Sequence, residues 1–214
     1  MYVPKLFNEN DWPEIKRVID QNSFATIISC SAGSPVATHL PLRLVESSTD
    51  KWTLQGHMSR ANQHWRLFEQ GERSLAIFAG PHAYVSPRWY DHVNVPTWNY
   101  VAVHVYGKTR VVEDAGELHT LMKGLVDRYE GHVETPDRYM IEKLPPDYLK
   151  SQMNGIVGFE ISVDEIQASF KLSQNRDERN YANVVSELSK SEDQSARGVA
   201  QEMLCRRPRP SVHE

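Results

Sequence analysis

The sequence predicts an α+β fold, mainly β with α additions, in which a barrel-like sheet carries helices at its edges. Short runs with the two-residue alternation of half-buried strands recur along most of the chain, separated by turn formers such as residues 32–35. Helical periodicity is limited to a few stretches beside these runs. No run is followed by GxGxxG or a P-loop, which removes the main support for the doubly wound nucleotide-binding folds.

The elements are predicted in order along the chain. Asp11 is suited to cap a first helix over residues 11–22, because apolar residues recur there on one helical face. Strands are expected at residues 24–30, 35–45, 51–58, 74–80, 97–112 and 156–172. Further helices are expected at residues 60–70, 114–129, 177–188 and 193–204, with short helical turns at 136–146. We expect one domain over residues 1–175, a helical extension over 176–205 and a basic disordered tail over 206–214.

The composition is that of an ordinary globular protein. Of the 214 residues, 40% are hydrophobic and 24% charged, and the net charge of −4 argues against strong non-specific attraction to nucleic acid. Neither Cys30 nor Cys205 lies in a CxxC motif, and Cys30 ends an apolar run, so a buried core thiol is expected there. The absence of a transmembrane-length apolar stretch and of a signal-peptide pattern predicts a cytoplasmic protein.

One strand-to-helix junction stands out, the segment LQGHMSRANQHW at residues 54–65. Ser59 is expected to cap the helix, which places the open amides of the first turn beside the Arg60 guanidinium. Amides, a positive dipole end and a planar fork of N–H groups together suit a phosphate. Taken alone, the segment fits an ordinary junction with a solvated arginine better than an anion site.

Other patterns in the sequence either fit two interpretations or give little support for a metal or nucleophilic site. The nine histidines show neither HExxH nor paired-cysteine spacing, so no metal site is expected, and no GxSxG motif presents a nucleophilic serine. Residues 79–100 concentrate aromatic side chains around three prolines, which is equally typical of a ligand wall or dimer interface and of core packing. The segment KLSQNR at residues 171–176 fits either a multi-oxygen ligand or a solvated turn.

Several segments together carry a family resemblance. They are MYVPKLF (1–7), HLPL (39–42), GHMSRAN (56–62) with Trp65, FAGPHAYVSPRWY (78–90), VPTWNY (95–100), VHVYG (103–107) and KLSQNR (171–176). In order and spacing they resemble the PaiB-type family of FMN-binding negative transcriptional regulators. Two positions depart from the pattern: Gln63 stands where a proline is expected, and Ser59 where a small apolar residue is common.

The resemblance implies a split β-barrel that forms a homodimer and holds FMN at the subunit interface. The residues implied to border the isoalloxazine are Thr38, His39, Leu40, Pro41 and Leu42. Those implied at the phosphate corner are Arg60 and Asn62, aided by Ser59, with His57 and Ala61 beside them. Those implied to come from the partner subunit are Trp98, Asn99, Lys171, Gln174 and Asn175. Arg60 suits the phosphate because its planar fork donates two hydrogen bonds at once.

Two functions of different classes follow from the resemblance. The first is a dimeric FMN protein that represses transcription, with DNA or a regulatory protein as its partner and no membrane attachment. The alternative is an FMN-dependent oxidoreductase that reduces a flavin or a small molecule without binding DNA, with His39, His57 or Tyr84 as candidates for proton transfer. Acidic residues offset the basic ones in 177–204, so support for a DNA-reading helix is thin. A structural barrel without a cofactor is the third possibility.

Overall fold

A single antiparallel sheet dominates the computed structural model, which describes residues 1–46, 51–71, 73–132 and 138–206. Its strands are β1 (Phe24–Ser31), β2 (Ser34–Pro41), β3 (Arg43–Glu46), β4 (Trp52–Ser59), β5 (Arg73–Val85), β6 (Thr97–Val112) and β7 (Ile156–Lys171). Within the described ranges these seven strands follow the order β2-β1-β5-β6-β7-β4-β3. The α-helices are α1 (Trp12–Gln21), α2 (Ala115–Glu130), α3 (Pro146–Asn154), α4 (Glu178–Ser189) and α5 (Gln194–Cys205). Short 3₁₀-helices occupy Lys5–Phe7, Gln63–Gln70, Pro87–Trp89 and Ile141–Lys143. The prediction of a sheet with added helices is confirmed. None of the described helices is long and apolar enough to cross a membrane.

A tight hairpin joins β1 to β2. Ala32 and Gly33 both have positive φ, at 48° and 82°, which is the backbone of a two-residue type I′ turn. The turn matches Ser31 with Ser34 and carries the register along the pair until Phe24 lies opposite Pro41. The hairpin therefore fixes the positions of the β2 residues implied to border the flavin ring.

The predicted strand over residues 35–45 is two strands, because the ladder is interrupted at Leu42. The Leu42 amide donates to the carbonyl oxygen of Ser23 at 2.8 Å, and the Leu42 side chain is fully buried. The chain turns into the core at this residue, so β3 begins with a new partner, β4.

The predicted helix over residues 60–70 begins later than expected and is a 3₁₀-helix. Asn62 is its N-cap, and its side-chain oxygen accepts from the main-chain nitrogen of His64 at 3.0 Å. Ser59 is the last residue of β4, so the prediction that Ser59 caps the helix was wrong. The main-chain N–H of Asn62 donates to the carbonyl oxygen of Ser59 at 2.9 Å and closes a turn. Because this turn separates β4 from the helix, the helix begins later than predicted.

The chain divides into two compact units. Unit 1 comprises residues 1–21, 79–104 and 167–214, and unit 2 comprises residues 22–78 and 105–166. The expected boundary between residues 175 and 176 stays a prediction.

In unit 1, α4 and α5 are joined by a hydrogen bond from the Tyr181 hydroxyl to the Met203 carbonyl at 2.6 Å. Beyond α5, Arg206 forms ion pairs with Glu9 and Glu14 and lies over the Phe170 ring at 4.1 Å. The prediction of a disordered tail was therefore wrong at Arg206, its first residue, because ion pairs and the Phe170 ring hold this side chain in place. The rest of that tail, 207–214, lies outside the described residues.

Unit 2 is organised by the packing of α2 and by close contact between strands. Asp114 caps α2, whose Leu118, Leu121 and Leu125 pack with Val112. In β4, a Cβ at Gly56 would lie 2.7 Å from side-chain carbons of Leu42 and Phe159, so a larger residue there would force these buried side chains to move.

The thiol of Cys30 is exposed, so the prediction of a buried core cysteine was wrong. The alternation of β1 buries Ser29 instead, whose hydroxyl forms a 2.8 Å hydrogen bond with that of Ser74. An apolar run does not reveal which face of a strand is buried, and here a hydroxyl pair satisfies the inward polar position.

Candidate functional site

A groove of about 530 Å³ lies in unit 2 where β2, β4 and the start of β7 come together. It is lined by Phe24, Thr38, His39, Leu40, Pro41, His57, Met58, Ser59, Asn62, Gln152, Gly155 and Ile156. Its size falls within the range of small-molecule sites in proteins. Seven of these residues are among those implied to bind FMN: Thr38, His39, Leu40, Pro41, His57, Ser59 and Asn62. The structure therefore brings the two predicted segments, 38–41 and 57–62, together around one groove.

The turn at residues 59–62 forms one corner of this groove and retains a donor. The Ser59 hydroxyl oxygen accepts from the Ala61 amide at 3.2 Å, which leaves the hydroxyl proton without a partner among the described residues. A hydroxyl donor at a strand end suits a ligand that presents acceptor oxygens.

Arg60 is held beside the groove by main-chain carbonyls. Its Nε donates to the carbonyl oxygen of Asn154 at 3.0 Å and its Nη2 to that of Ile156 at 3.0 Å. Asn154 is the last residue of α3 and Ile156 lies two residues beyond it, at the helix end where the dipole favours a cation. Two of the five guanidinium N–H groups are used in this way, so three remain for an anion.

A three-residue polar network supports the groove from behind. Asn62 Nδ2 donates to Thr38 Oγ1 at 3.1 Å, and Thr38 Oγ1 lies 2.9 Å from His64 Nδ1. His64 is only 2% exposed and its ring packs 5.2 Å from that of Phe68. His64 is not predicted as a site residue, since nothing in its local sequence distinguishes it from the other eight histidines.

The two histidines of the groove differ in exposure. Burial lowers the pKa of His57, so its imidazole is neutral near pH 7, and its Nδ1 has no hydrogen-bond partner among the described residues. His39 is exposed and stacks on Phe24, with ring centroids 6.4 Å apart and planes at 26°. Phe24, which is also absent from the predicted site residues, is 70% exposed and widens the flat wall of the groove.

Two of the five residues implied to come from a partner subunit have their polar groups occupied within unit 1. Asn99 is fully buried and its Nδ2 donates to Ser173 Oγ at 2.9 Å. Both ends of the Gln174 amide bond to main chain, at Leu172 and Phe170.

The other three residues implied to come from a partner subunit keep exposed surface or some hydrogen-bonding capacity. Lys171 donates to Thr97 Oγ1, and burial together with Arg176 lowers the pKa of its amine. Asn175 is exposed, and Trp98 is 53% exposed.

The aromatic segment at residues 79–100 serves two purposes in unit 1. Tyr90 is buried, with the Arg176 guanidinium 4.6 Å from its ring centroid. Trp98 and Tyr84, with ring centroids 6.0 Å apart, instead line a cavity of about 490 Å³. One stretch therefore contributes both to core packing and to the wall of a cavity. No cluster of three or more His, Cys, Asp or Glu suited to a metal occurs in the described part of the chain.

The chain is similar to known proteins along most of its length. Residues 1–165 match the family described as "Putative FMN-binding domain". The protease synthase and sporulation protein PAI 2 of Bacillus subtilis is 43% identical over 203 residues, which cover 95% of this chain and 96% of the relative.

Two solved structures share the fold at low sequence identity. A flavocytochrome from Azotobacter vinelandii is 17% identical, with a TM-score of 0.63 over 85% of this chain and 78% of its own. An FAD and heme binding protein from Mycobacterium smegmatis is 14% identical, with a TM-score of 0.60 over 82% of this chain and 78% of its own.

The family match covers more than half of the chain, and the Bacillus relative aligns with it almost from end to end. The resemblance to the PaiB-type proteins is thereby confirmed. The chain belongs to this FMN-binding family, and FMN is its cofactor.

Proposed function

We propose that the unit 2 groove is the FMN site and that the chain acts as a homodimeric FMN-binding negative regulator of transcription. The observation that carries the site is the meeting of a flat, largely apolar wall with a corner rich in open donors. FMN needs both, because a planar ring and a dianionic phosphate lie at opposite ends of one molecule. When bound, FMN supplies a ring that accepts and returns electrons.

The groove residues fit that ligand. At the phosphate end, Ser59 and Arg60 would donate, with Asn62 and the neighbouring Ala61 shaping the corner. The main chain of residues 39–41 would border the ring, although Pro41 has no N–H and the donor must be a neighbour. Thr38 would lie at the end of this stretch nearer the phosphate corner, where its hydroxyl meets Asn62. Leu42 would support this strand from the core side.

His57 offers the second sign of fit. Its buried Nδ1 lacks a partner among the described residues, and a buried polar atom of this kind is costly unless a ligand or water satisfies it. A polar edge of FMN would do so.

A partner subunit would complete the site with the second implied set. Trp98, Lys171 and Asn175 keep exposed surface or open donors, whereas Asn99 and Gln174 would hold the strand ends and the loop that carry them. Sedimentation equilibrium of the FMN-loaded protein tests the dimer: a monomer with full FMN content contradicts it.

The regulatory role rests on the Bacillus relative, whose name links it to protease synthesis and sporulation. The helices α4 and α5 give little support for reading DNA, since Lys190 pairs with Glu187 and Arg197 donates to two main-chain carbonyls. Deletion of the gene should raise target transcripts, and unchanged transcripts would contradict regulation. Gel-shift binding to one promoter at physiological salt would support direct regulation, whereas purely salt-sensitive, sequence-blind binding would count against it.

FMN content is measured first, by releasing the ligand from the purified full chain and identifying it by chromatography. We expect FMN in near-stoichiometric amount; a colourless protein that takes up no FMN on titration would sink the proposal.

The oxidoreductase alternative draws on one observation, the neutral imidazole of His57 in the groove. Anaerobic stopped-flow with NADH and NADPH decides it. Rapid bleaching of the flavin by either favours an enzyme, and no bleaching removes a nicotinamide-dependent reductase.

A further inference from the structure

The Thr38 hydroxyl lies between two nitrogen atoms and also lines the groove. Asn62 Nδ2 is 3.1 Å from Thr38 Oγ1, and His64 Nδ1 is 2.9 Å from it. No other hydrogen bond to this oxygen occurs within the described ranges. His64 is almost fully buried and is not part of the groove lining, so its ring can act on a ligand only through Thr38.

The orientation of the Asn62 amide is set by a main-chain donor. The His64 main-chain N–H lies 3.0 Å from Asn62 Oδ1, and an N–H group can only donate. The oxygen of the Asn62 amide therefore faces the main chain, and its Nδ2 faces Thr38. Asn62 thus donates to Thr38 and occupies one of the two lone pairs on the hydroxyl oxygen.

Whether His64 Nδ1 donates to Thr38 or accepts from it depends on the tautomer of His64. With the proton on Nε2, Nδ1 would accept the Thr38 proton, and a buried N–H would be left without a partner among the described residues. With the proton on Nδ1, His64 donates to Thr38, and Nε2 is only an unused acceptor. Orphaned buried N–H groups are rarer than under-satisfied acceptors, which favours the Nδ1–H form. Burial also lowers the pKa of His64, so the neutral ring is the relevant one near pH 7.

We infer that His64 is held as the Nδ1–H tautomer and thereby makes the Thr38 hydroxyl an obligate donor to a phosphate oxygen of FMN. This inference rests on the proposed flavin site. Both lone pairs of Thr38 Oγ1 are then occupied, so its only remaining capacity is its own O–H. Phosphate oxygens accept hydrogen bonds, and Asn62 joins Thr38 to the corner proposed for the phosphate. His64 is a positioning residue in this scheme.

The tautomer can be read directly in the wild-type protein. Long-range ¹H–¹⁵N correlation spectra of the ¹⁵N-histidine-labelled full chain, near neutral pH, distinguish Nδ1–H from Nε2–H rings. His64 is assigned by the signal that disappears in His64→Phe. We expect the Nδ1–H pattern with and without FMN, and an Nε2–H pattern would overturn the inference.

Ligand binding tests the donor role of Thr38. Thr38→Val should weaken FMN binding roughly tenfold or more, because a hydrogen bond to a charged acceptor is lost. It should change riboflavin binding by less than about twofold, since riboflavin has no phosphate. Thr38→Ser keeps the hydroxyl and should bind both ligands as the wild type does. Equal losses for the two ligands in Thr38→Val, or no loss for either, would overturn the inference.

A second pair of variants separates the role of His64 from simple packing. Asparagine places an amide near the position of Nδ1, so His64→Asn should keep most of the preference for FMN over riboflavin. His64→Phe should lose it. Equal preference in the two variants would contradict a role for the Nδ1 proton. If the wild type binds neither ligand, the proposed function itself fails, which is a distinct result.

Discussion

The groove residues of unit 2 and the implied partner-subunit residues of unit 1 differ in how much of their hydrogen-bonding capacity the fold already uses. At the groove, Ser59 keeps its hydroxyl proton and Arg60 keeps three N–H groups among its described contacts. In unit 1, Asn99 is buried against Ser173, and both ends of the Gln174 amide bond to main chain.

The two sets look alike in the sequence, where each is a short run of amides, hydroxyls and cations. A run of this kind serves a ligand only where the fold leaves donors open beside a cavity. Elsewhere the same groups satisfy loops and helix ends, because a buried polar atom without a partner is costly. The difference predicts that substitutions of Ser59 and Arg60 lower FMN affinity, whereas those of Asn99 and Gln174 lower stability.

The largest effect is expected for Arg60→Ala. Loss of a charge-assisted, two-point contact should weaken FMN binding by about 2–3 kcal/mol, which is tens-fold in affinity. Fluorescence titration of the apo-protein with FMN measures it. Arg66→Ala is the matched control, since Arg66 lies over the Trp65 ring and not on the carbonyls that hold Arg60 beside the groove. An Arg60→Ala protein with full flavin occupancy would contradict the phosphate assignment.

Asn99→Ala should act on stability. It leaves the buried Ser173 hydroxyl without its amide partner, so the free energy of unfolding should fall by about 1–3 kcal/mol. FMN affinity in the folded fraction should change far less than in Arg60→Ala. Urea unfolding measures the stability, with the exposed Asn175→Ala as the control expected to stay within about 0.5 kcal/mol. A large loss of FMN affinity with unchanged stability would reverse the assignment.

Acid should destabilise the protein through its buried histidines. Burial lowers the pKa of His57 and His64 below the ordinary 6.5, and His104 shifts in the same direction. As the pH falls below that value, the unfolded chain binds protons that the folded chain does not. The free energy of unfolding should therefore fall, by at most about 1.4 kcal/mol per histidine for each pH unit, until the folded-state pKa is reached.

Urea unfolding of the apo-protein at about pH 7.5 and about pH 5.5 measures this loss. His57→Gln should show a smaller difference between the two conditions than the wild type. An identical difference in both proteins would mean that His57 titrates alike in the folded and unfolded chain.

The smallest effect is expected for Ser59→Ala. The hydroxyl offers one neutral donor, worth about 0.5–1.5 kcal/mol, so FMN affinity should fall only a few-fold. Isothermal titration against the wild type, with the exposed Ser34→Ala as control, resolves a change of this size. An unchanged affinity would place the phosphate away from the 59–62 turn.

Long, regular patterns were predicted well from the sequence. The strand over residues 97–112 and the helix capped by Asp114 match the observed elements, because alternation and a capping side chain act locally.

The helix beside the groove was predicted with the wrong cap. Ser59 and Asn62 are both able to cap, and local sequence does not choose between them. The structure selects Asn62, whose amide also bonds to Thr38 on a different strand.

By itself, the sequence determined the sheet-rich class of this protein, its family and its cofactor, since these follow from the order and spacing of segments along nearly the whole chain. Only the tertiary structure decided which polar side chains remain open to that cofactor. His64 joins the polar network behind the groove through its contact with Thr38, and Asn99 is buried against Ser173. The physical reason is that each hydrogen bond of this kind joins residues far apart in the chain, and the fold alone brings them within reach.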